Sequence, residues 1–334
     1  MDFIPNEFPA ACFLFPGQGA YLEETFLELA DRRPEVGRTF HEIDLAIAGL
    51  GAEPISPILL GGSPPSLKQL LIEDPDVLQL ALFGTAVAVY RILTAEGVIP
   101  HTVAGHSLGE IAALVAGGAF TPGAGARIVH IRSQCLHSAA DVGGMLAVRG
   151  TLRRAQALVD LMEIEGLVIA VENGPRQTVL AGPHQELSRA TDVARAAGLA
   201  GIGIASPYPF HSPLLADVAE EFQLRLKSDI DIVRQPLRRT VYSPILQRFY
   251  TDDDDFAEIL SSHLVLPVRF DSALRYLHEQ GIETFIECGA RDALTGIARR
   301  TLSTVTAFPS VVRDRRAGES RALLLPAARR VVAE

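Results

Sequence analysis

Residues 99–119 read IPHTVAGHSLGEIAALVAGGA. The first part, 99–104, is a short apolar run suited to a buried strand, and 110–119 is a small-residue segment suited to a helix. Between them stands Gly105-His106-Ser107-Leu108-Gly109, a Gly-x-Ser-x-Gly pattern. A serine on a sharp strand-to-helix turn has its hydroxyl pushed out of the turn, with a helix N-terminus behind it. Flanking glycines let two backbones approach without a Cβ clash. The peptide N–H of Leu108 can then face a developing oxyanion. The chemistry this suits is acyl transfer through an acyl-serine. A bare Gly-x-Ser-x-Gly also arises by chance; the strand before it and the helix after it favour the catalytic reading.

Working outward, strand and helix alternate. Residues 11–15 (ACFLF) are an apolar run ending in Pro16-Gly17-Gln18-Gly19, a buried strand and a glycine turn. Residues 77–93 have a helical pattern. This predicts a mainly parallel sheet with helices on both faces. The pattern changes at 143–206, with strands at 145–148, 167–171, 177–181 and 201–205 and helices at 152–165 and 186–197. That order, β-α-β-β-α-β, is the order of a ferredoxin-like unit. Large-domain patterning then resumes, with a helix at 214–227, a strand at 284–287 and a helix at 293–302. The expected division is a large α/β-hydrolase-like subdomain over 1–142 and 207–309, a ferredoxin-like small subdomain over 143–206, and a tail over 310–334. The tail is rich in arginine and alanine and reads as a surface helix or a linker.

Composition narrows the function classes. The chain has 334 residues, 48% of them hydrophobic, enough for one large domain or two unequal ones. Its formal net charge is −10 and it has no basic stripe interleaved with aromatics, which argues against nucleic acid as a partner. It contains no unbroken apolar run of eighteen residues, so no transmembrane helix is expected. The N-terminus has no basic n-region before an apolar stretch, so no signal peptide is expected. Cys12, Cys135 and Cys288 are scattered, without metal spacing, and point to a reducing cytoplasm. The acidic run 252–255 reads as a solvated loop, and no metal site is predicted.

A serine nucleophile needs a base. His211 is the best candidate, in Ser206-Pro207-Tyr208-Pro209-Phe210-His211-Ser212-Pro213, where flanking prolines fix the backbone. The alternative is a loop histidine that caps the following helix. An ordinary α/β-hydrolase places its acid between the serine and a late histidine. Here the histidine is in mid-chain with no aspartate in an obvious third place, so a backbone carbonyl could orient it instead.

At these positions the sequence resembles a known family. Residues 13–19 (FLFPGQG), 105–110 (GHSLGE), Arg132 in Ile131-Arg132-Ser133, and Phe210-His211-Ser212 are similar to the malonyl-CoA:acyl carrier protein transacylases. That family includes the acyltransferase domains of fatty acid and polyketide synthases. The resemblance covers roughly residues 11–305 in the right order, closing with Glu287-Cys288-Gly289 and Leu294-Thr295-Gly296. It implies that Ser107 is acylated, that His211 is its base, and that the backbone N–H groups of Gln18 and Leu108 form the oxyanion hole. Arg132 falls at the family's carboxylate-clamping position, where a guanidinium fits a malonyl carboxylate bidentately. Otherwise it is a surface arginine on a helix over 126–136. Gln79 and His106 would line the pocket, and Asn173 would face it from the small subdomain. A main-chain carbonyl near Pro267-Val268-Arg269 would orient the base, with Arg269 the candidate.

The resemblance also implies reaction and partners. A malonyl-type group would pass from CoA to Ser107, then to the phosphopantetheine thiol of an acyl carrier protein. No bound cofactor is needed beyond these substrates. A monomer in the cytoplasm is implied, serving carrier proteins in trans, in fatty acid or polyketide synthesis. Arg153, Arg154, Arg299 and Arg300 are candidate docking residues for an acidic carrier. Phe210 resembles malonyl-selective relatives, whereas Tyr208 resembles methylmalonyl-selective ones. The family's pattern also breaks at Gly19-Ala20-Tyr21, where many relatives have Gly-Ser-Gln. Three other readings stand beside this one: a carrier-to-carrier transferase of an unusual acyl or aminoacyl group, an acyl hydrolase, and a noncatalytic carrier-binding module.

Overall fold

The computed structural model describes residues 10–18, 20–21, 25–314 and 321–324. Its strands, in chain order, are β1 (Ala11–Phe15), β2 (Thr102–Gly105), β3 (Gly144–Arg149), β4 (Val168–Gly174), β5 (Gln177–Gly182), β6 (Ala200–Ile204), β7 (Thr240–Ser243), β8 (Arg248–Phe249), β9 (Val268–Arg269), β10 (Thr284–Glu287), β11 (Thr306–Pro309), β12 (Val311–Asp314) and β13 (Arg321–Leu324). They form a six-stranded sheet ordered β11-β10-β1-β2-β7-β8, a five-stranded sheet ordered β6-β3-β5-β4-β9, and a two-stranded pair.

The first sheet is parallel except where β8 turns back on β7. At its centre, β1 is buried along its whole length, which is why ACFLF is an unbroken apolar run rather than an alternating one. Beside it, β2 leads into Ser107 and the helix Gly109–Gly117. Gly109 is required by a close approach: a Cβ there would lie 2.0 Å from the carbonyl oxygen of Phe15. The helix thus starts hard against the end of β1, and the serine turn is pinned between two central strands.

The helix Pro75–Ala95 starts at a cap in which the Asp74 side chain accepts from the Val77 N–H, with proline in the first turn. By length and composition it could cross a membrane, which counting unbroken apolar runs did not anticipate. Every residue from 77 to 89 is buried inside the fold. It packs against the helices Pro34–Ala48 and Pro122–Leu136. The last of these has the same kind of start, Thr121 accepting from the Ala124 N–H before Pro122.

In the second sheet, β3 to β6 are antiparallel neighbours in the order a β-α-β-β-α-β unit requires. One face packs on the helices Leu152–Met162 and His184–Ala196 through Leu146, Val148, Leu158, Leu180 and Leu187. Met145, Val171, Val179 and Ile204 line a pocket instead. The fifth strand comes from outside residues 143–206: β9 pairs in parallel with β4, Val171 against Val268 and Glu172 against Arg269. The sheet is therefore not built from the inserted segment alone.

The part of the tail that is described is a hairpin, β12 against β13, rather than a surface helix or a linker. Valine at 311 and 312 favours a strand over a helix. The acidic run is a paired surface loop. Asp252 meets Arg234, Asp254 meets Arg248, and Asp255 caps the helix Phe256–Ser262 and meets Lys227.

Candidate active site

Ser107 and His211 are brought together, and both have unusual backbones. Ser107 has φ +57° and His211 φ +62°, in the left-handed region that side-chain-bearing residues avoid. At Ser107 this is the sharp turn from β2 into its helix. His211 lies between Pro209 and Pro213, which restrict the chain on both sides. The Ser107 hydroxyl is 2.7 Å from His211 Nε2.

His211 Nδ1 is 2.9 Å from the carbonyl oxygen of Leu266, which fixes the tautomer: Nδ1–H donates to the carbonyl, and Nε2 accepts from the serine. A carbonyl thus stands where a hydrolase triad has a carboxylate. The residue is Leu266, not Arg269. Arg269 is occupied elsewhere, its N–H donating to Pro244 O at 2.9 Å and its carbonyl accepting from Gln247 Nε2 at 3.1 Å. Leu266 precedes Pro267, which cannot continue a helix, so its carbonyl is left over for the imidazole. Burial is the main cause that pushes His211 down, to about 3, with the Leu266 bond opposing and the Arg132 charge assisting. The ring is neutral at neutral pH and free to accept a proton.

Arg132 is buried, not on the surface, at 5% exposure on the helix Pro122–Leu136. One guanidinium nitrogen donates to Gln79 Oε1 at 2.9 Å, and the group lies 4.9 Å from the centre of the Phe210 ring. Among the described residues no carboxylate lies within ion-pair distance of it. Burial draws its pKa down to about 10, which leaves it charged. A buried cation held by an amide and a ring, with no anion of its own, suits an anionic ligand.

These groups line one pocket of about 610 Å³ of empty volume. Gln18, Gln79, His106, Ser107, Leu108, Arg132, Asn173, Phe210 and His211 border it, and Met145, Val171, Val179 and Ile204 form an apolar wall from the second sheet. His106 Nε2 donates to Asn173 Oδ1 at 2.8 Å, tying the serine turn to β4. Burial holds the His106 imidazole below its ordinary value, so it too is neutral. Gly17 lets the Gln18 turn reach the serine turn: a Cβ on it would lie 2.7 Å from the His106 carbonyl oxygen. Gly19, the other glycine beside Gln18, lies outside the described residues.

Tyr208 stands behind the pocket, its ring edge-on to Phe210 with centroids 5.6 Å apart. The four candidate docking arginines separate. Arg153 and Arg154 are exposed on Leu152–Met162, the helix that packs on the far face of the second sheet from the pocket. Arg154 donates to Ala197 O, and Arg299 to Ala307 O. Arg300 lines a broad groove with Arg149 and Arg176.

The residues that sequence reasoning missed are Leu266 and the apolar wall. A carbonyl acts through the backbone and leaves no residue signature beyond the proline after it. Met145, Val171 and Val179 belong to largely buried strands, where alternation does not tell pocket from core, and Ile204 ends a mostly exposed one.

Comparison with known proteins agrees with this geometry. Residues 12–330 match the family model described as Acyl transferase domain. Polyketide synthase GfsA of Streptomyces halstedii is 29% identical over 305 residues, a match that takes in 90% of this chain and 4% of that protein. Against two further polyketide relatives the chain spans 24% and 8% of their length. The malonyl CoA-acyl carrier protein transacylase of Bacillus subtilis is 30% identical over 295 residues, 86% of this chain and 89% of that one. The solved structure of the corresponding transacylase from Coxiella burnetii superposes with a TM-score of 0.82 at 27% identity, covering 90% of this chain and 94% of that one. The chain belongs to the acyl transferase domain family.

Proposed function

We propose that the chain transfers a malonyl-type acyl group from CoA to the phosphopantetheine thiol of an acyl carrier protein, with Ser107 as nucleophile and His211 as base. The observation that carries this is the pairing, in one pocket, of the Ser107–His211 contact with the buried Arg132, which has no carboxylate partner among the described residues. A nucleophile alone suits any ester or thioester. A guanidinium at the other end selects an acyl group that ends in a carboxylate.

In this reading His211 Nε2 takes the Ser107 proton as Oγ attacks the thioester carbonyl. The N–H groups of Gln18 and Leu108 meet the oxyanion. The tetrahedral intermediate collapses, the C–S bond breaks, and the thiolate of CoA takes the proton back from His211. A carrier thiol then enters the same way, giving its proton to His211 as it attacks the acyl-serine, and Ser107 leaves with that proton. Arg132 holds the carboxylate throughout, and Gln79 keeps the guanidinium in place. Residues 143–206 act as a small subdomain that closes over the acyl group with its apolar wall.

One face of the second sheet runs from the pocket into the arginine-lined groove. Met145 and Ile204 border the pocket, and Ala147, Ile202 and Gln177 continue the face into the groove. We place the pantetheine arm along this face and the carrier at its outer end. Arg149, Arg176 and Arg300 there offer local positive charge on a chain of net charge −10. CoA and carrier are then alternative occupants of one path, and the enzyme works in the cytoplasm, where both are found.

The test is the initial rate at varied malonyl-CoA and holo-carrier concentrations. A double-displacement reaction gives parallel double-reciprocal lines and malonyl exchange into labelled CoA without carrier. Intersecting lines with no exchange would contradict an acyl-enzyme.

A further inference from the structure

The carbonyl that orients His211 sits on a loop, residues 263–267, and a loop needs something to hold it. Its backbone is braced at one end, where the N–H groups of Leu264, Val265 and Leu266 donate back to Ser261 and Ser262. Ser212, next to the base, donates its N–H to Leu264 O at 3.2 Å. Beyond the loop Val268 pairs with Val171, and a side chain supplies a further anchor. His263, 6% exposed, brings Nε2 to 3.1 Å from the Tyr250 hydroxyl. That hydroxyl lies 2.9 Å from Glu110 Oε1, and His263 Nε2 itself lies 3.7 Å from the same oxygen.

Glu110 belongs to the nucleophile's turn. Its N–H donates to Ser107 O at 2.9 Å, and the residue is fully buried. Tyr250 is fixed independently. Its N–H donates to Val241 O, and its ring stacks on Phe256 at 5.5 Å with the planes 7° apart. Phe256 opens the helix Phe256–Ser262 that leads into His263. A line of side chains thus starts at the serine turn, crosses a clamped tyrosine, and ends three residues before the carbonyl that holds the base.

We infer that Tyr250 and His263 are positioning residues, which with Glu110 form a buried bridge that sets the distance between the nucleophile's turn and the base's carbonyl. This rests on the reading of Ser107 as nucleophile and His211 as base. The bridge is electrically neutral, as a buried one must be to avoid desolvated charge. Burial pushes Glu110 up to about 8 and His263 down to about 3, and holds Tyr250 well above its ordinary value. Glu110 Oε2 has no hydrogen-bond partner among the described residues, which a protonated carboxyl tolerates far better than a carboxylate. Neither Tyr250 nor His263 lines the pocket, so neither touches an acyl donor.

The test is the labelling of Ser107 in the full chain by a small fluorophosphonate, read as a maximal rate and a half-saturating concentration. Labelling depends on the Ser107–His211 pair and not on the acyl donor. Tyr250→Phe and His263→Ala are expected to lower the maximal rate by about ten- to a hundredfold, as a misplacement near 1 Å would, with half-saturation unchanged. His263→Gln, whose amide still reaches the tyrosine hydroxyl, is expected to recover most of the rate. Folded variants that label at the parental rate, or that change only half-saturation, would overturn the bridge. So would equal losses in His263→Gln and His263→Ala. If Tyr250→Phe does not fold, the two His263 variants decide. Ser107→Ala separates the two readings: if it still labels, the nucleophile is wrong, and if it does not while the His263 variants label normally, only the bridge is wrong.

Discussion

Ser107 and His211 lie 104 residues apart in the chain and meet across 2.7 Å, each with its backbone in the left-handed region. Such a conformation costs on the order of 1–3 kcal/mol per residue and persists only where the surroundings over-determine it. For Ser107 the surroundings are two central strands and the close approach of Gly109 to Phe15. For His211 they are flanking prolines, the Leu266 carbonyl and the Ser212–Leu264 bond. Of the five described non-glycine residues with positive φ, these two touch.

The protonation state of His211 makes the first prediction. Burial keeps the imidazole neutral down to about pH 3. The pH profile of kcat/KM reports the free enzyme. For malonyl-CoA it is expected to show no acid limb with a midpoint near 6.5, the ordinary histidine value. A limb there would mean that His211 is solvated in the free enzyme. Removing the base altogether, in His211→Ala, should slow acylation by about 10²- to 10⁴-fold.

Arg132 sets the second prediction. Losing a charge-assisted bond to a carboxylate costs about 1.5–3 kcal/mol, or roughly ten- to a hundredfold. Arg132→Ala should lower kcat/KM for malonyl-CoA by that factor and leave acetyl-CoA, which has no carboxylate, nearly unaffected. Equal losses for both donors would place Arg132 in the fold rather than in recognition. Gln79→Ala, which frees the guanidinium without removing it, should fall between parent and Arg132→Ala.

Phe210 carries two roles that substitution can separate. Its ring faces the guanidinium and lines the pocket beside Ser107 and His211. In Phe210→Ala the lost cation–π contact, about 0.5–2 kcal/mol, should raise KM for malonyl-CoA. The freed volume should raise the ratio of methylmalonyl to malonyl transfer in a competition assay. An unchanged ratio would move the steric control to another wall residue.

A fourth prediction concerns stability. Glu287 is fully buried at the end of β10, accepts from the Thr295 N–H and hydroxyl, and has Oε1 unpartnered among the described residues. Burial is the main cause that raises its pKa from 4.5 to about 7. The folded state therefore binds a proton that the unfolded chain has lost between those values. Its contribution is complete below about pH 4.5 and is lost as pH rises through 7. Melting temperatures from pH 5 to 9 should fall less steeply in Glu287→Gln than in the parent. Parallel curves would show that Glu287 ionises normally.

Much of this was legible in the sequence, for stated reasons. Buried parallel strands such as β1 read as apolar runs, and Gly-x-Ser-x-Gly marks a turn because a side chain at Gly109 would strike Phe15. The meeting of Ser107 with His211, the place of Arg132 in the same pocket and the contact of His106 with Asn173 all follow from side-chain chemistry at recognisable motifs. The rest depends on backbone atoms and on pairing across long separations. Arg269 was expected to orient the base because it lies near the right proline, but strand pairing with β4 occupies that stretch. The crossing of β9 into the second sheet and the line from Glu110 through Tyr250 to His263 have no local signature, and the hairpin after Ser310 has only its two valines.

The central claim is an acyl group on Ser107 held by Arg132. Intact-protein mass spectrometry after mixing with malonyl-CoA tests it most directly. The expected result is a single malonyl adduct that is absent in Ser107→Ala, strongly reduced in Arg132→Ala, and discharged by a holo-carrier protein. An adduct that survives Ser107→Ala, or no adduct from malonyl-CoA in the parent, would contradict the account.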